Sequence, residues 1–182
     1  LYLGQLHGAQ YVKLFIQAAK IILDKRIEAS FIVLGDGTRA QELKHYAKTL
    51  GLEQKIIFAG AVESEKVPEY IAACDVAVAC FEDTLVTRCK SPLKIAEYLA
   101  SGKPIVASKV GEVEKMVGGA GILVEPGKPS LLAEKIIFLL SNKGVRDDLG
   151  KKARIQAEEI YNWKRSSEIL LRAYESALKT KI

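Results

Sequence analysis

Residues 91–108 read SPLKIAEYLASGKPIVAS. A proline stands near the start, apolar residues follow at helical spacing, and Gly102 with Pro104 breaks the pattern before the β-branched run PIVAS. Ser91-Pro92 matches a helix start, with Ser as N-cap and Pro at the first helical position. Gly102 lies before its strand and is expected to end the helix. A helix that passes directly into a short, wholly apolar strand is one step of a βα alternation.

The alternation extends both ways. Upstream, LYLG (1–4), ASFIVLG (29–35), KIIFAG (55–60) and DVAVAC (75–80) read as buried strands. Between them, 11–25, 39–51 and 64–74 carry helical spacing, and residues 81–90 read as a loop. Downstream come a short helix at 111–117, the strand GILV (121–124) and three helical segments from Pro129 onward. Strands that are apolar at every position, each followed by a helix, predict a parallel sheet covered on both faces. The expected fold is therefore α/β: a doubly wound, Rossmann-like parallel sheet of about six strands. No linker or repeat divides it, so residues 1–182 form one domain, with a core at 1–160 and a C-terminal helix at 161–182. The sequence starts with LYLG and no initiator methionine, and it reads as a domain excised from a longer protein.

A net charge of +5 is scattered in short clusters, at 24–26, 164–165 and 179–181. That pattern speaks against a nucleic-acid footprint. It is compatible with a phosphorylated ligand, or with peripheral association with anionic lipid. Cys74, Cys80 and Cys89 fit no metal spacing. Buried, reduced thiols at Cys74 and Cys80 point to a cytoplasmic protein. No apolar stretch is long enough to span a membrane.

Ligands of open parallel sheets sit beyond the carboxyl ends of the strands. The loops expected there are GQLHGAQ (4–10), GDGT (35–38), GAV (60–62) and the segment containing Arg88 and Lys90. No G-x-G-x-x-G, P-loop lysine or catalytic triad occurs, which speaks against ordinary dinucleotide-binding and P-loop enzymes. Of the two histidines, His45 falls within a helix and reads as a surface residue, whereas His7 lies in a ligand-side loop. The Ser91-Pro92 helix start would turn free N–H groups toward this edge and favour a phosphate. Glu97, about a turn and a half further on, reads either as a solvated helix residue or as an acceptor for adjacent hydroxyls such as those of a ribose.

The whole 91–108 stretch resembles the donor-site segment of glycosyltransferase family 4, the group 1 glycosyltransferases, in the C-terminal half of the two-domain GT-B fold. LYLGQL, FIQAAKIIL, FIVLGDG, KIIFAGAVESEKVPEYIAACDVAVAC, GGAGILVEPGKPSLLAEKIIFLL and YNWKRSSEILLRAYESAL resemble further family segments in order. The resemblance implies retaining transfer of a sugar from a UDP-, GDP- or ADP-sugar to a glycan or glycolipid acceptor, as in polysaccharide biosynthesis. It implies no cofactor and no metal, and an N-terminal acceptor-binding domain outside this chain, without which the chain would be inactive. Cytoplasmic residence, at the inner face of the membrane where the acceptor is lipid-linked, goes with it.

The resemblance places Glu97 on the donor ribose. It places Ser91, Pro92, Leu93 and Lys94 at the diphosphate, Gly4 and Gln5 in the glycine loop near the phosphates, and Gly60, Ala61 and Val62 at the nucleobase. The family commonly carries an Arg just after the first glycine and a Lys a few residues on. Gln5 and Gln10 occupy those places here, and Cys89 stands where many members have a second Glu. His7, Arg88, Lys90 and Lys94 are the catalytic candidates, the last three as substitutes for the missing charge. A GT-B sugar-nucleotide epimerase and a non-catalytic nucleotide-sugar-binding domain are the alternative readings.

Overall fold

The computed structural model describes residues 1–7 and 11–179. Gly8 and Gln10 of the first loop lie outside them. Six parallel strands form one sheet: β1 (Tyr2–Leu3), β2 (Phe31–Leu34), β3 (Ile56–Gly60), β4 (Ala77–Ala79), β5 (Ile105–Ser108) and β6 (Gly121–Val124). Their spatial order is β3-β2-β1-β4-β5-β6, every pairing parallel. The helices are α1 (Tyr11–Asp24), α2 (Ala40–Thr49), α3 (Val67–Ala72), α4 (Leu85–Arg88), α5 (Leu93–Ala100), α6 (Val113–Val117), α7 (Pro129–Ser141), α8 (Lys143–Ile160) and α9 (Trp163–Lys179).

Alternating strand side chains feed two cores, one on each face of the sheet. Val33, Val78 and Val106 join Phe15 of α1, Leu43 of α2 and Ile136 of α7 on one face. Leu34, Ala79 and Ala107 join Ile71 of α3, Ile95 and Leu99 of α5, and Ala153 of α8 on the other. Burying each large apolar side chain contributes roughly 1.5–3 kcal/mol relative to leaving it exposed. The layers are those the apolar strand runs predict.

Local differences have local causes. β1 is two residues long because Gly4, at φ +151°, turns the chain out of the strand. The 64–74 helix divides into a 3₁₀ turn at Ser64–Lys66 and α3, with Pro68 in the first turn of α3. Residues 81–90 are not simply a loop, because α4 forms within them. Thr84 caps it: the Thr87 N–H donates to Thr84 Oγ1 (3.2 Å) and the Thr84 N–H to Thr87 Oγ1 (2.9 Å).

The expected cap of α5 is corrected too. Pro92 is extended (φ −71°, ψ 112°) and is itself the N-cap, so the helix begins at Leu93. The Ser91 hydroxyl instead donates to Met116 Sδ at 3.5 Å. The other end behaves as expected. Gly102, at φ +63°, donates its N–H to Leu99 O, and Lys103 donates to Tyr98 O, closing a Schellman stop.

Cys80 is buried, Cys74 half-buried and Cys89 exposed, all three free. α9 buries no residue. It exposes Trp163, Leu170, Leu171, Tyr174 and Leu178 at helical spacing.

Candidate functional site

The strand order reverses between β1 and β4, and that is where a doubly wound sheet opens a crevice at its carboxyl edge. One residue widens the opening. β1 and β4 pair only at Tyr2 and Val78. Beyond that point the Leu3 N–H donates to the hydroxyl of Tyr98 (2.9 Å), which in turn donates to Val78 O (3.3 Å). A fully buried phenol from α5 thus stands between the strands. Nothing in the sequence pattern distinguishes Tyr98 from an ordinary core aromatic, so the sequence alone does not single it out.

The loops after β1, β2 and β3 are bonded into one shelf. The Gly4 N–H donates to Leu34 O, Leu6 N–H to Asp36 O, Gly35 N–H to Gly60 O, and Arg39 N–H to Leu6 O, all within 2.8–2.9 Å. The glycines of GDGT make this contact possible. A Cβ at Gly35 would lie 2.1 Å from the Gly4 carbonyl oxygen, and one at Gly37 2.4 Å from the carbonyl carbon of Leu6. The 35–38 loop therefore supports the first loop. It also holds His7, whose Nδ1 accepts from the Thr38 N–H at 3.2 Å. Gly60 is left-handed, at φ +74°, with open space around its Cα, and Ala61 is exposed. The 60–62 backbone lies two strands from β1, on the edge strand of the sheet.

The charged candidates separate cleanly. Arg88 is taken: Asp83 accepts from its Nε (2.6 Å) and Nη2 (2.9 Å). Arg88 is thus ion-paired at an exposed position. Lys90 lies over the Tyr11 ring, 5.1 Å from the centroid. Lys94 turns back from the first turn of α5 toward Gly4, with Nζ 2.7 Å from where a Gly4 Cβ would stand. It lies over the rings of Tyr2 (4.2 Å) and Phe81 (5.7 Å), and among the described residues it forms no ion pair. Burial pushes its ammonium down to about 8; the neighbouring Lys90 also lowers it, while Cys80 and Glu97 act the other way.

Glu97 is half-buried and three residues beyond Lys94, on the same side of α5. Burial raises its carboxyl above the usual range, and Lys94 opposes the shift. Among the described residues no side chain donates to it. Ser91 and Leu93 are exposed at the start of this helix, and Leu85 and Val86 of α4 are exposed apolar residues too. Structure thus brings Gly4, Lys90, Lys94 and Glu97 together, whereas Arg88 is paired with Asp83. Gln5 is exposed in the first loop.

Two further concavities lie elsewhere. A cavity of about 510 Å³ lies at the amino edge of the sheet, lined by Ser30, Lys55, Asp75 and Ile136 among others. A groove of about 500 Å³ adjoins it, lined by Lys103, Arg146, Lys151 and Arg154 among others. Among the described residues, no group of three or more His, Cys, Asp or Glu side chains converges on a point. No helix there is long and apolar enough to cross a membrane.

Residues 1–142 match the model of the family "Glycosyl transferases group 1". The chain belongs to that family. A curated relative, the D-inositol 3-phosphate glycosyltransferase of Paenarthrobacter aurescens, is 27% identical over 98% of this chain. The match takes in 44% of that protein, so the chain spans about half the length of the curated relatives it matches. Among solved structures, the C-terminal domain of the group 1 glycosyl transferase LpcC from Francisella tularensis superposes with a TM-score of 0.75. It is 24% identical, covering 89% of this chain and 85% of that one. HepE from Anabaena, solved with UDP, superposes at 0.74 and 21% identity, covering 96% of this chain and 48% of its own. The expected Rossmann-like half of a GT-B fold is therefore the fold observed.

Proposed function

We propose that the crevice between β1 and β4 binds the nucleotide-sugar donor of a retaining glycosyltransferase, and that the acceptor, a glycan or lipid-linked sugar, binds mostly to a second domain outside this chain. The observation that carries the reading is Glu97: a half-buried carboxylate without a donor among the described residues, beside a lysine, at the switch point of the sheet. A buried carboxylate is stable only when hydrogen-bonded or paired, and two vicinal ribose hydroxyls supply two such bonds. Ser91, Pro92, Leu93 and Lys94 then meet the diphosphate, with Gly4 and Gln5 across from them and the 60–62 backbone toward the base. That HepE was solved with UDP makes a UDP-sugar the first donor to test.

In the reaction, the bond between the anomeric carbon and the diphosphate oxygen breaks, and its electron pair leaves with the diphosphate. A bond from the anomeric carbon to the acceptor oxygen forms on the same face, and the acceptor proton passes to the departing diphosphate. The protein's contribution is to stabilise the charge that grows on the leaving oxygen. The exposed apolar stripe of α9 and the exposed Leu85, Val86 and Leu93 suit surfaces that a second domain covers.

Calorimetric titration of the full-length protein with UDP, GDP, ADP and UDP-glucose tests the reading. One nucleotide should bind saturably, and Glu97→Ala should weaken it ~10- to 100-fold, the worth of hydrogen bonds to a charged group. Absence of binding at millimolar concentrations, or equal affinity in the variant, would contradict it.

A further inference from the structure

We infer that Tyr98 is a positioning residue for the donor site: its hydroxyl ties α5 to the ends of β1 and β4, and so sets the spacing between Gly4 and the helix across which a diphosphate is held. This role rests on the donor-site reading above. It adds a residue that touches no ligand and fixes the two walls of the crevice relative to each other.

The bridge stands where the two central strands part. Val78 donates its N–H to Leu1 O at 2.9 Å, so β1 and β4 are in direct contact at that level. Their pairing ends at Tyr2 and Val78. There the Tyr98 oxygen accepts from the Leu3 N–H (2.9 Å) and donates to Val78 O (3.3 Å), one bond to each strand. Both bonds go to backbone, so they fix the strands rather than neighbouring side chains. Burial pushes the phenol well above its ordinary value, so the oxygen keeps its proton and the direction of the bridge is set.

The same side of α5 continues to the crevice. Lys94 and Tyr98 are four residues apart and therefore lie on one side of the helix. Lys94 Nζ reaches to 2.7 Å from where a Gly4 Cβ would stand, while Tyr98 takes the N–H of the residue just before Gly4. Successive turns of α5 thus meet successive residues at the end of β1. Glu97 precedes Tyr98 directly, so the group that would hold the ribose and the group that holds β1 share one turn.

The two walls differ in what else holds them. Ile95 and Leu99 bury α5 in the core beside Ala153 of α8, and Arg154 donates to Ala100 O at 2.7 Å. β1 is only two residues long, and beyond it the Gly4 N–H bonds to Leu34 O on the β2 side. On the β4 side, the backbone just before Gly4 is held by the Tyr98 hydroxyl. Loss of that hydroxyl therefore releases the Gly4 wall and leaves Glu97 in place. UDP, whose diphosphate needs both walls, is then weakened. Uridine, which meets Glu97 and the 60–62 backbone, is not.

The test uses the full-length protein, titrated with UDP and with uridine, as wild type, Tyr98→Phe, Ile136→Val and Glu97→Ala. Tyr98→Phe keeps the ring and removes the bridge. It should lose UDP affinity ~3- to 10-fold, the worth of one neutral hydrogen bond, and keep uridine affinity within about 2-fold. Ile136→Val, a core change at the amino edge, should lower stability and leave both affinities unchanged. A second measurement needs no variant. By linkage, UDP tightens the bridge by the factor by which the bridge favours UDP. Hydrogen exchange at the Leu3 amide should therefore slow ~3- to 10-fold with UDP and not with uridine. Suppose Glu97→Ala weakens UDP, but Tyr98→Phe binds UDP as the wild type does, or loses UDP and uridine alike, or Leu3 exchange is indifferent to UDP. The positioning role is then refuted and the donor site stands. A loss of UDP affinity in Ile136→Val equal to that in Tyr98→Phe would trace the effect to stability and overturn it as well. If neither Tyr98→Phe nor Glu97→Ala changes UDP binding, both readings fall together.

Discussion

At the amino edge of the sheet, Arg146 donates to the carbonyls of Leu139 and Leu140 and pairs with Asp75, and Lys143 pairs with Asp147. Arg154 binds Glu158 and the carbonyl of Ala100, and Lys103 donates to Ala72 O. At the carboxyl edge, Lys94 and Glu97 have no such partners among the described residues, and glycines replace side chains along the loops. The amino edge has concavities of about 510 and 500 Å³; the carboxyl edge has the uncompensated charge. In a fold of this kind, volume marks where helices and strands meet imperfectly. Half-buried charge left without a partner, at the point where strand order reverses, marks where a ligand completes the structure.

The contrast can be broken most severely at the shelf that supports the crevice. Gly35→Ala places a methyl 2.1 Å from the Gly4 carbonyl oxygen, at a residue with φ +129°. It should destabilise the protein by on the order of 3 kcal/mol, measured by urea denaturation, and weaken UDP binding in what remains folded. Unchanged stability would mean that the first two loops are not held together as described. Next in size, Tyr98→Phe removes the hydroxyl between β1 and β4. The loss of two buried hydrogen bonds should cost about 1–3 kcal/mol. A variant as stable as wild type would show that the phenol does not hold the crevice open.

Acid sharpens the same comparison more gently. Glu97 must be ionised to accept from both ribose hydroxyls, and burial raises its carboxyl above the usual range. Uridine affinity should therefore fall on acidification, with a midpoint above that of an ordinary glutamate, and the fall should be absent in Glu97→Gln. The smallest effect belongs to the amino edge. Lys143→Ala breaks an exposed i,i+4 pair with Asp147. It should change stability by less than about 0.5 kcal/mol and leave UDP affinity unaltered.

Much of this was legible beforehand, because strand and helix periodicity are local properties. The six apolar runs, the Gly102 stop and the position of Glu97 on a helix need only neighbours in sequence. What was not legible depends on distant contacts or on choices between equivalent local ones. Ser91 is a good N-cap by type, yet Met116, 25 residues away, takes its hydroxyl. Thr84 and Thr87 form a reciprocal cap without the Glu or Gln that usually signals one. Asp83 and Arg88 are five apart, a spacing that predicts no pairing until α4 folds the segment between them. The GDGT glycines read as a turn, and their contact with the first loop appears only when β1 and β2 stand side by side.

The most direct test of the account is to locate the nucleotide. With UDP added to the isotopically labelled full-length protein, amide resonances of Gly4, Gly60, Lys94 and Glu97 should shift. Those of Ser30, Ala73 and Lys143 at the amino edge should stay in place. Shifts confined to the amino edge, with the carboxyl edge unmoved, would contradict it.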